Sequence, residues 1–575
     1  MRALTLMETV IALTIMAVVF AAIMPLFKQI RDNWDSKEAS AETLQNGRIL
    51  IDHINRNLSK ALRITAVSGP NTTSGYIEFK DSNSNALRYD IAGNNYVEFG
   101  VAGSLSDLGG PVSQLQFTCY DYNDFNTPTT DVNSIRLVKA QTTLTNSLMH
   151  SQDKTLTASV YLRTNGNDTG NGGTHGIVYT EQNQSVPRYR LWDGSAWSAQ
   201  QLASDVGADP KWVVSARCPT RPETAAGTLD ASDDLNIQFF NGFSWTAATE
   251  LANNLAINTD RPFYQAYEQL SGKLLIVYRR GNDGLLYYRT YNGTSISAES
   301  TTTLLGNGNP CWMRLVPKRG SNEILLVVLD SKWNITAAVW NGSGWGNKIL
   351  LEGTTPYSAC EVMWAAYESQ SGQALVVWTD WKSNTFQYRK WTGSAWLSEG
   401  SGPDFGRDPV WVKLAADPCS NQMIFAASDD QSDLRLVMWN GSSWGTPLVA
   451  ETSLPGVDRR DFDVEYKSSG GRALAVWGRS SQSYCYYRVW NGTAWSSEST
   501  GPGLGGEVSI VQLKADPLTN QIFVDILNKN DGLQFMLWNS STIGSPVTIV
   551  ANGRGHSTIE SFMMVPLFRN EDVHP

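Results

Sequence analysis

Oxygen-bearing side chains are concentrated in one predicted loop, DYNDFNTPTTDVN, which begins at residue 121. Four of them are close enough in sequence to share a ligand: Asp121, Asn123, Asp124 and Asp131. Carboxylate and amide oxygens are the ligands that a hard cation such as calcium accepts. The loop lacks the central glycine and the terminal glutamate of an EF-hand, so a solvated polar loop is the alternative. The sequence predicts no other cofactor.

Tryptophan is the second residue type that could bind a ligand, because indole rings at the mouth of a site can stack on sugars. Twenty of the 21 tryptophans follow residue 190. Six of them begin or end predicted strands near loops and are our candidate ligand-binding aromatics: Trp212, Trp312, Trp411, Trp378, Trp381 and Trp477. The alternative is that each ring fills space in the core.

Catalytic patterns are missing from the sequence. None of the five histidines has metal-ligand spacing to a Cys, an Asp or a second His, and there is no HExxH or phosphate-binding GxxxxGK[ST] motif. We therefore predict that the protein is not an enzyme, with a hydrolase site assembled from several repeats as the alternative. A net charge of −10 argues against a nucleic-acid partner, which requires a concentrated basic surface.

The first stretch of the chain determines where these residues are displayed. Residues 4–27 read LTLMETVIALTIMAVVFAAIMPLF and carry one charge, Glu8. About 20 apolar residues suffice to cross a bilayer as a helix, and a carboxylate in such a segment needs a partner. A cleaved signal peptide is one interpretation, but the apolar core is too long for it and Lys28 follows the core directly. A plain membrane anchor is the second, and it leaves Glu8 unexplained.

A third interpretation comes from the short leader MRA and the glutamate that follows it at residue 8. This arrangement resembles the N-terminus of type IV pilins and type II secretion pseudopilins. The resemblance implies that a prepilin peptidase cuts between Ala3 and Leu4, and that Glu8 pairs with the freed amine of a neighbouring subunit. Pro25 lies where the family has its helix-kinking proline. The implied partners are other subunits, the peptidase and the inner-membrane assembly platform. The implied location is a single-pass inner-membrane protein that becomes part of a periplasmic or extracellular filament.

A helix over residues 4–63 and a small α/β head over residues 64–163 are predicted next. Ile51, Ile54 and Leu58 recur at helical spacing and indicate a buried stripe. Six alternating runs predict one antiparallel sheet under the helix: GYIEFKD, ALRYDIAG, NYVEFG, SQLQFTCYDYND, NSIRLVKAQTTL and KTLTASVYLRT. The order of these strands resembles the J component of type II secretion and the W-type minor pilins, in residues 112–121, 135–144 and 160–163.

Beyond an Asn/Gly-rich linker at residues 164–174, the sequence repeats about every 50 residues. A hairpin signature such as WNGSSW recurs eight times, and Trp439 and Trp444 are predicted to pair across one of these hairpins. Four strand-like runs per repeat predict the blades of a β-propeller. The first repeat lacks its innermost strand, and residues 562–567 match that strand. We therefore predict an eight-bladed propeller over residues 175–569, closed by its C-terminal strand.

These features combine into one predicted architecture and function. The fold class is a pilin-like α+β module, with a leader at residues 1–3 and a transmembrane half-helix at 4–27, followed by an all-β propeller. The predicted function is that of a minor pilin or pseudopilin of a type IV filament or type II secretion-like system. Its propeller would serve extracellular recognition or adhesion, with a glycan or another surface ligand as the partner. The alternatives are a secretion-system pseudopilin whose propeller engages exported substrates, and a surface-tethered propeller hydrolase.

Overall fold

The computed structural model of the chain contains two compact units, Met1–Gly170 and Asn171–Pro575. It describes residues 6–59, 61, 63–81, 85–121, 127–132, 135–145, 153–162, 175–221, 223–242, 244–255, 260–353, 360–380, 384–516, 519–553 and 561–566. The predicted cleavage site at Ala3 and Leu4 and the predicted linker lie outside the described residues, as do Asn123, Asp124 and Trp381.

One helix, α1 (Leu6–Leu58), opens the first unit. It is long and apolar enough to cross a membrane, and its most apolar part buries nothing within the chain. Pro25 lies inside α1 without ending it, although proline removes one backbone hydrogen bond. The predicted helix end at residue 63 is corrected to Leu58. Arg63 already begins a strand, RITAV, whose β-branched residues favour extended backbone.

The described residues of the head form eight strands in two antiparallel sheets, ordered β1-β2-β3-β4-β5 and β6-β7-β8. Their bounds are β1 (Arg63–Val67), β2 (Ile77–Lys80), β3 (Ala86–Ile91), β4 (Val97–Val101), β5 (Ser104–Gly109), β6 (Val112–Asp121), β7 (Ile135–Leu144) and β8 (Lys154–Tyr161). The sequence predicted six strands in one sheet and missed β1 and β5. The break between the sheets falls at Pro111, which has no N–H to extend a ladder.

The C-terminal part of α1 packs on β5, β7 and β8 through one buried stripe. The stripe consists of Ala39, Thr43, Gly47, Leu50, Ile54 and Leu58. A Cβ atom at Gly47 would lie 2.5 Å from Leu156 Cδ1 and 2.7 Å from Leu144 Cδ1. The missing side chain therefore lets the helix approach the sheet closely. The predicted buried positions Ile54 and Leu58 are confirmed, whereas Ile51 is half-buried.

Within the part of the second unit that the structure describes, the strands form eight four-stranded antiparallel sheets. The first sheet combines β9 (His175–Tyr179), β10 (Arg188–Trp192) and β11 (Gln201–Leu202) with the last strand of the chain. Sheets two to four are β12 (Pro210–Arg217), β13 (Thr224–Asp230), β14 (Leu235–Phe240) and β15 (Thr249–Ala252); β16 (Phe263–Tyr267), β17 (Leu274–Tyr278), β18 (Leu285–Tyr291) and β19 (Ser300–Thr303); and β20 (Pro310–Pro317), β21 (Ile324–Asp330), β22 (Ile335–Trp340) and β23 (Trp345–Glu352).

The remaining sheets follow the same order. Sheets five to eight are β24 (Met363–Tyr367), β25 (Ala374–Thr379), β26 (Phe386–Trp391) and β27 (Gly400–Ser401); β28 (Pro409–Ala416), β29 (Met423–Asp429), β30 (Leu434–Trp439) and β31 (Leu448–Glu451); β32 (Phe462–Tyr466), β33 (Ala473–Gly478), β34 (Tyr484–Trp490) and β35 (Ser499–Gly503); and β36 (Val508–Ala515), β37 (Ile522–Asn528), β38 (Leu533–Trp538) and β39 (Val547–Val550). The last strand among the described residues is β40 (Phe562–Pro566).

One edge strand of each sheet, which we call the innermost strand, contacts the innermost strand of the next sheet. These strands are β40, β12, β16, β20, β24, β28, β32 and β36. The series of contacts returns from β36 through β40 to β12. Within the first sheet, β40 pairs with β9, with Phe562 opposite Tyr179.

The repeated hairpins hold the two outer strands of each sheet together. Trp439 bridges Trp444 across one such turn, with ring centroids 5.1 Å apart, which confirms the predicted cross-strand pair. The turn is closed by the Asn440 side chain, whose Oδ1 accepts the backbone N–H groups of Ser442 and Ser443. Gly441 has a φ of 98°, a conformation that glycine adopts readily.

Candidate ligand-binding site

The predicted sugar-stacking tryptophans on innermost strands are core residues. Trp212, Trp312 and Trp411 lie in β12, β20 and β28, and at most 3% of each is exposed. The ring centroids of Trp212 and Trp312 are 5.7 Å apart, and those of Trp312 and Trp411 are 5.6 Å apart, with nearly perpendicular planes. Rings from alternate sheets thus pack on one another and present no face to a ligand. This burial corrects the prediction for these three residues.

The second predicted set ends the second strands of two sheets. Trp378 lies in β25 and Trp477 in β33, and both are fully buried. The indole Nε1 of Trp477 donates to Glu451 Oε2 at 3.1 Å. These two rings are also packing residues, and the structure therefore brings none of the five described candidates to a binding surface.

The predicted calcium ligands are described only in part. Asp121 ends β6, but its side chain lies outside the described atoms together with those of Asn123 and Asp124. The backbone N–H of Asp131 donates to Thr129 Oγ1 at 3.1 Å. Across the described ranges, no three His, Cys, Asp or Glu side chains gather in a metal-binding arrangement. Calcium binding at this loop stays a prediction.

A cavity of about 430 Å³, the inner-strand cavity, lies between the innermost strands of the second unit. Clefts of 300–1,000 Å³ are the size that holds small ligands. All eight innermost strands contribute side chains to its lining: Val214, Tyr264, Arg314, Trp364, Lys413, Asp463, Gln512 and Met563. The lining also includes Arg261, whose guanidinium lies 5.5 Å from the Trp312 ring centroid. The buried tryptophan cluster therefore lies next to one part of the cavity.

Strand alternation explains how one innermost strand supplies both a packed ring and a charged lining residue. In β20, Trp312 and Arg314 are two residues apart and point to the same side. The intervening Met313 and the following Leu315 are buried on the other side. In the strand PCWMRLVP, the apolar side chains therefore pack within the sheet, and the Arg314 guanidinium lies beside the cavity.

A buried carboxylate orients two arginines beside the cavity. Glu361, which precedes β24, accepts hydrogen bonds on Oε1 from Arg261 Nη2 at 2.6 Å and from Arg314 Nε and Nη2 at 3.0 and 2.7 Å. Burial acts to raise the pKa of the Glu361 carboxyl, but Arg261, Arg314 and Arg460 outweigh it and hold the pKa below its usual value. Glu361 is therefore an anion that fixes the guanidinium groups in place.

Trp364 of β24 is the ring around which three cations gather. The Arg314 Cζ atom lies 3.2 Å from its ring centroid, the Lys413 Nζ atom 4.9 Å and the Arg460 Cζ atom 5.1 Å. Aromatic faces attract such cations through the ring quadrupole. The residue is only 6% exposed. The cation cluster is thus organised by the protein itself.

Acidic side chains occupy the neighbouring strands. Lys413 Nζ lies 2.8 Å from Asp463 Oδ1, and Asp463 Oδ2 accepts the backbone N–H of Leu513 at 2.9 Å. Glu465, two residues further along β32, also lines the cavity. Burial raises the pKa of the Glu465 carboxyl against the opposing effect of Lys413 and Lys514.

Several buried polar atoms in the cavity lining lack a hydrogen-bond partner among the described residues. They are Ser215 Oγ, Gln265 Oε1 and both carboxyl oxygens of Asp525. Asp525 lies in β37 opposite Gln512 and is fully buried. Burial raises the pKa of its carboxyl well above the usual value. The cavity therefore offers hydrogen-bonding groups that the described part of the chain does not itself satisfy.

Sequence reasoning missed the cavity residues because it searched for aromatic rings at strand ends. The available signal was charge inside apolar innermost strands. Arg314, Lys413 and Gln512 occupy the same place in β20, β28 and β36, and Asp525 replaces the valine found at the equivalent place in β21, Val327. Aligning the repeats and searching for polar residues at buried places would have found this set.

No family model matches this chain, and no curated protein matches it. Solved structures, in contrast, are similar to part of this chain. The BP39L lectin of Burkholderia pseudomallei is 12% identical with a TM-score of 0.42, over 59% of this chain and 100% of the lectin. AofleA of Arthrobotrys oligospora is 9% identical with a TM-score of 0.34, over 62% of this chain and 90% of AofleA. The Aleuria aurantia lectin, described as a six-bladed β-propeller with a novel fucose recognition mode, is 14% identical with a TM-score of 0.30, over 50% of this chain and 99% of the lectin.

Proposed function

We propose that this protein is a pilin-like, membrane-anchored subunit that displays an eight-bladed β-propeller for carbohydrate recognition outside the cell. The observation that carries recognition is the set of buried polar atoms on Ser215, Gln265 and Asp525 in the inner-strand cavity. A buried polar atom left without a partner costs about 1–3 kcal/mol. A polyhydroxylated ligand offers both donors and acceptors, so it satisfies such atoms at several points together.

The closed eight-bladed arrangement is supported by the contacts between sheets. The innermost strands contact one another in series, and that series returns to β12 through β40. The pairing of β40 with β9 joins the two ends of the second unit in one sheet. A propeller closed in this way protects its strand edges. It also leaves an axial cavity that is lined by side chains from every blade.

The filament role is supported by the N-terminal segment. The apolar part of α1 is exposed within the chain and needs a bilayer or other helices to cover it. Glu8 and Pro25 lie in that segment. A second unit of about 400 residues is difficult to repeat along a tightly packed filament, which favours a tip or sparse position.

Carbohydrate recognition is tested by binding of the full chain, solubilised in a neutral detergent with calcium present, to a glycan array. We expect binding that Asp525→Val lowers at least tenfold, because valine occupies the equivalent place in β21. Glu399→Ala, at a partly exposed pair 3.5 Å from Arg389, is the matched control and should bind as the natural chain does. If the natural chain binds no glycan on the array although a melting curve shows that it is folded, the proposed carbohydrate recognition would be contradicted.

The filament role is tested separately by mass spectrometry of the mature N-terminus. We expect the chain to begin at Leu4 and expect Glu8→Ala to remain in the membrane without joining a polymer. If the mature chain keeps Met1, or if Glu8→Ala polymerises as readily as the natural chain, the filament role would be contradicted. The helix would then serve only as a membrane anchor.

A further inference from the structure

The inner-strand cavity is basic, although the chain as a whole carries a net charge of −10. Six basic side chains contribute to its lining: Arg217, Arg261, Arg314, Lys413, Arg460 and Lys514. Three carboxyl groups line it as well, on Asp463, Glu465 and Asp525, and Glu361 lies directly behind two of the arginines. Basic groups therefore outnumber acidic ones among the described residues around the cavity.

The carboxyl groups around the cavity differ in their surroundings. Asp525 is fully buried, and burial alone raises its pKa well above the usual value. Glu361 and Asp463 are each engaged by basic partners. Even when all four carboxyl groups are counted as ionised, six basic side chains face four acidic ones. An excess of basic side chains around a cavity attracts a counter-charge from the ligand.

We propose that the inner-strand cavity binds a sugar that carries a carboxylate, such as a hexuronic acid. The cations gathered around Trp364, namely Arg314, Lys413 and Arg460, receive the carboxylate, and the hydroxyl groups pair with Ser215 and Asp525. Because Glu361 and Trp364 hold the cations in place, little ordering is required when the anion arrives. This inference rests on the proposed carbohydrate-binding function and specifies its ligand class.

The test compares two sugars that differ only at C6, which is a carboxylate in one and a hydroxymethyl group in the other. The full chain in neutral detergent is titrated with D-glucuronate and with D-glucose, and Kd is measured by calorimetry or ligand-observed NMR. We expect glucuronate to bind at least tenfold more tightly than glucose, and its affinity to fall as sodium chloride is raised. Lys413→Gln should weaken glucuronate binding at least tenfold, about 1.4 kcal/mol, and Arg460→Gln should do the same. Lys332→Gln removes a positive charge at an exposed turn outside the cavity and should leave Kd unchanged.

Each other outcome decides a different point. Equal affinity for glucose and glucuronate would overturn the charge inference and leave the carbohydrate function standing. Acetate binding as tightly as glucuronate would overturn the assignment of a sugar. If neither sugar binds while other glycans bind on the array, the ligand class is wrong, and if nothing binds, the proposed function fails as well. The melting temperature of each variant, measured alongside, separates a lost ligand contact from a lost fold.

Discussion

Replacing Glu361 with alanine should destabilise the second unit strongly. Its Oε1 accepts three hydrogen bonds of 2.6, 2.7 and 3.0 Å from Arg261 and Arg314, and the residue is 1% exposed. Removing one partner of a buried ion pair leaves an uncompensated charge and costs about 3–5 kcal/mol. Here two guanidinium groups lose the same partner, so we expect a loss toward the upper end of that range. Because 20 of the 21 tryptophans follow residue 190, fluorescence during urea unfolding reports on this unit.

The matched control is Glu399→Ala, at the partly exposed pair with Arg389, which should cost no more than about 1 kcal/mol. The pH dependence gives a second check. The pKa of Glu361 is lowered in the folded protein, so its stabilising effect is present above its ordinary pKa of 4.5. That effect is lost as the pH falls through the lower folded value, and the natural and variant proteins should converge there. A Glu361→Ala loss no larger than that of the control, or a difference independent of pH, would contradict a stabilising charge on Glu361.

Three further predictions concern packing and protonation. Gly47→Leu should lower the stability of the head by about 1–3 kcal/mol, because a Cβ there already meets Leu156 and Leu144, whereas Gly93→Ala, with open space around it, should have little effect in thermal unfolding. Trp411→Ala should cost about 3–5 kcal/mol in urea unfolding because the ring is buried; near-native stability combined with lost glycan binding would restore Trp411 as a ligand contact. Asp525 has a raised folded pKa, so the stability of the natural protein should fall as the pH rises above the ordinary aspartate pKa of 3.8, and Asp525→Asn should remove that decline; parallel pH profiles for the two proteins would contradict it.

The repeat pattern allowed the strand content of the second unit to be predicted because each repeat carries its own local signals. The Asn-Gly hairpins and alternating runs mark the strands directly, as the pair of Trp439 and Trp444 confirms. In the head, β5 was missed because its sequence, SLSDLG, combines polar residues with glycine and has no clear apolar face. Its placement depends on pairing with β4, which a local pattern does not contain.

The candidate site was harder to predict because burial is a property of the assembled sheets. Trp312 looks like a surface aromatic from its place at a strand end, yet rings from two other sheets cover it. Conversely, Asp525 looks like a solvent-facing residue within β37, yet it is fully buried beside the cavity. Neither environment can be inferred from one repeat alone.

A crystal structure of the second unit, grown with a glycan selected on the array, would show whether the inner-strand cavity binds carbohydrate. We expect ligand density in this cavity, with sugar oxygens within hydrogen-bond distance of Lys413, Ser215 and Asp525. Density elsewhere on the unit, with none between the innermost strands, would contradict it.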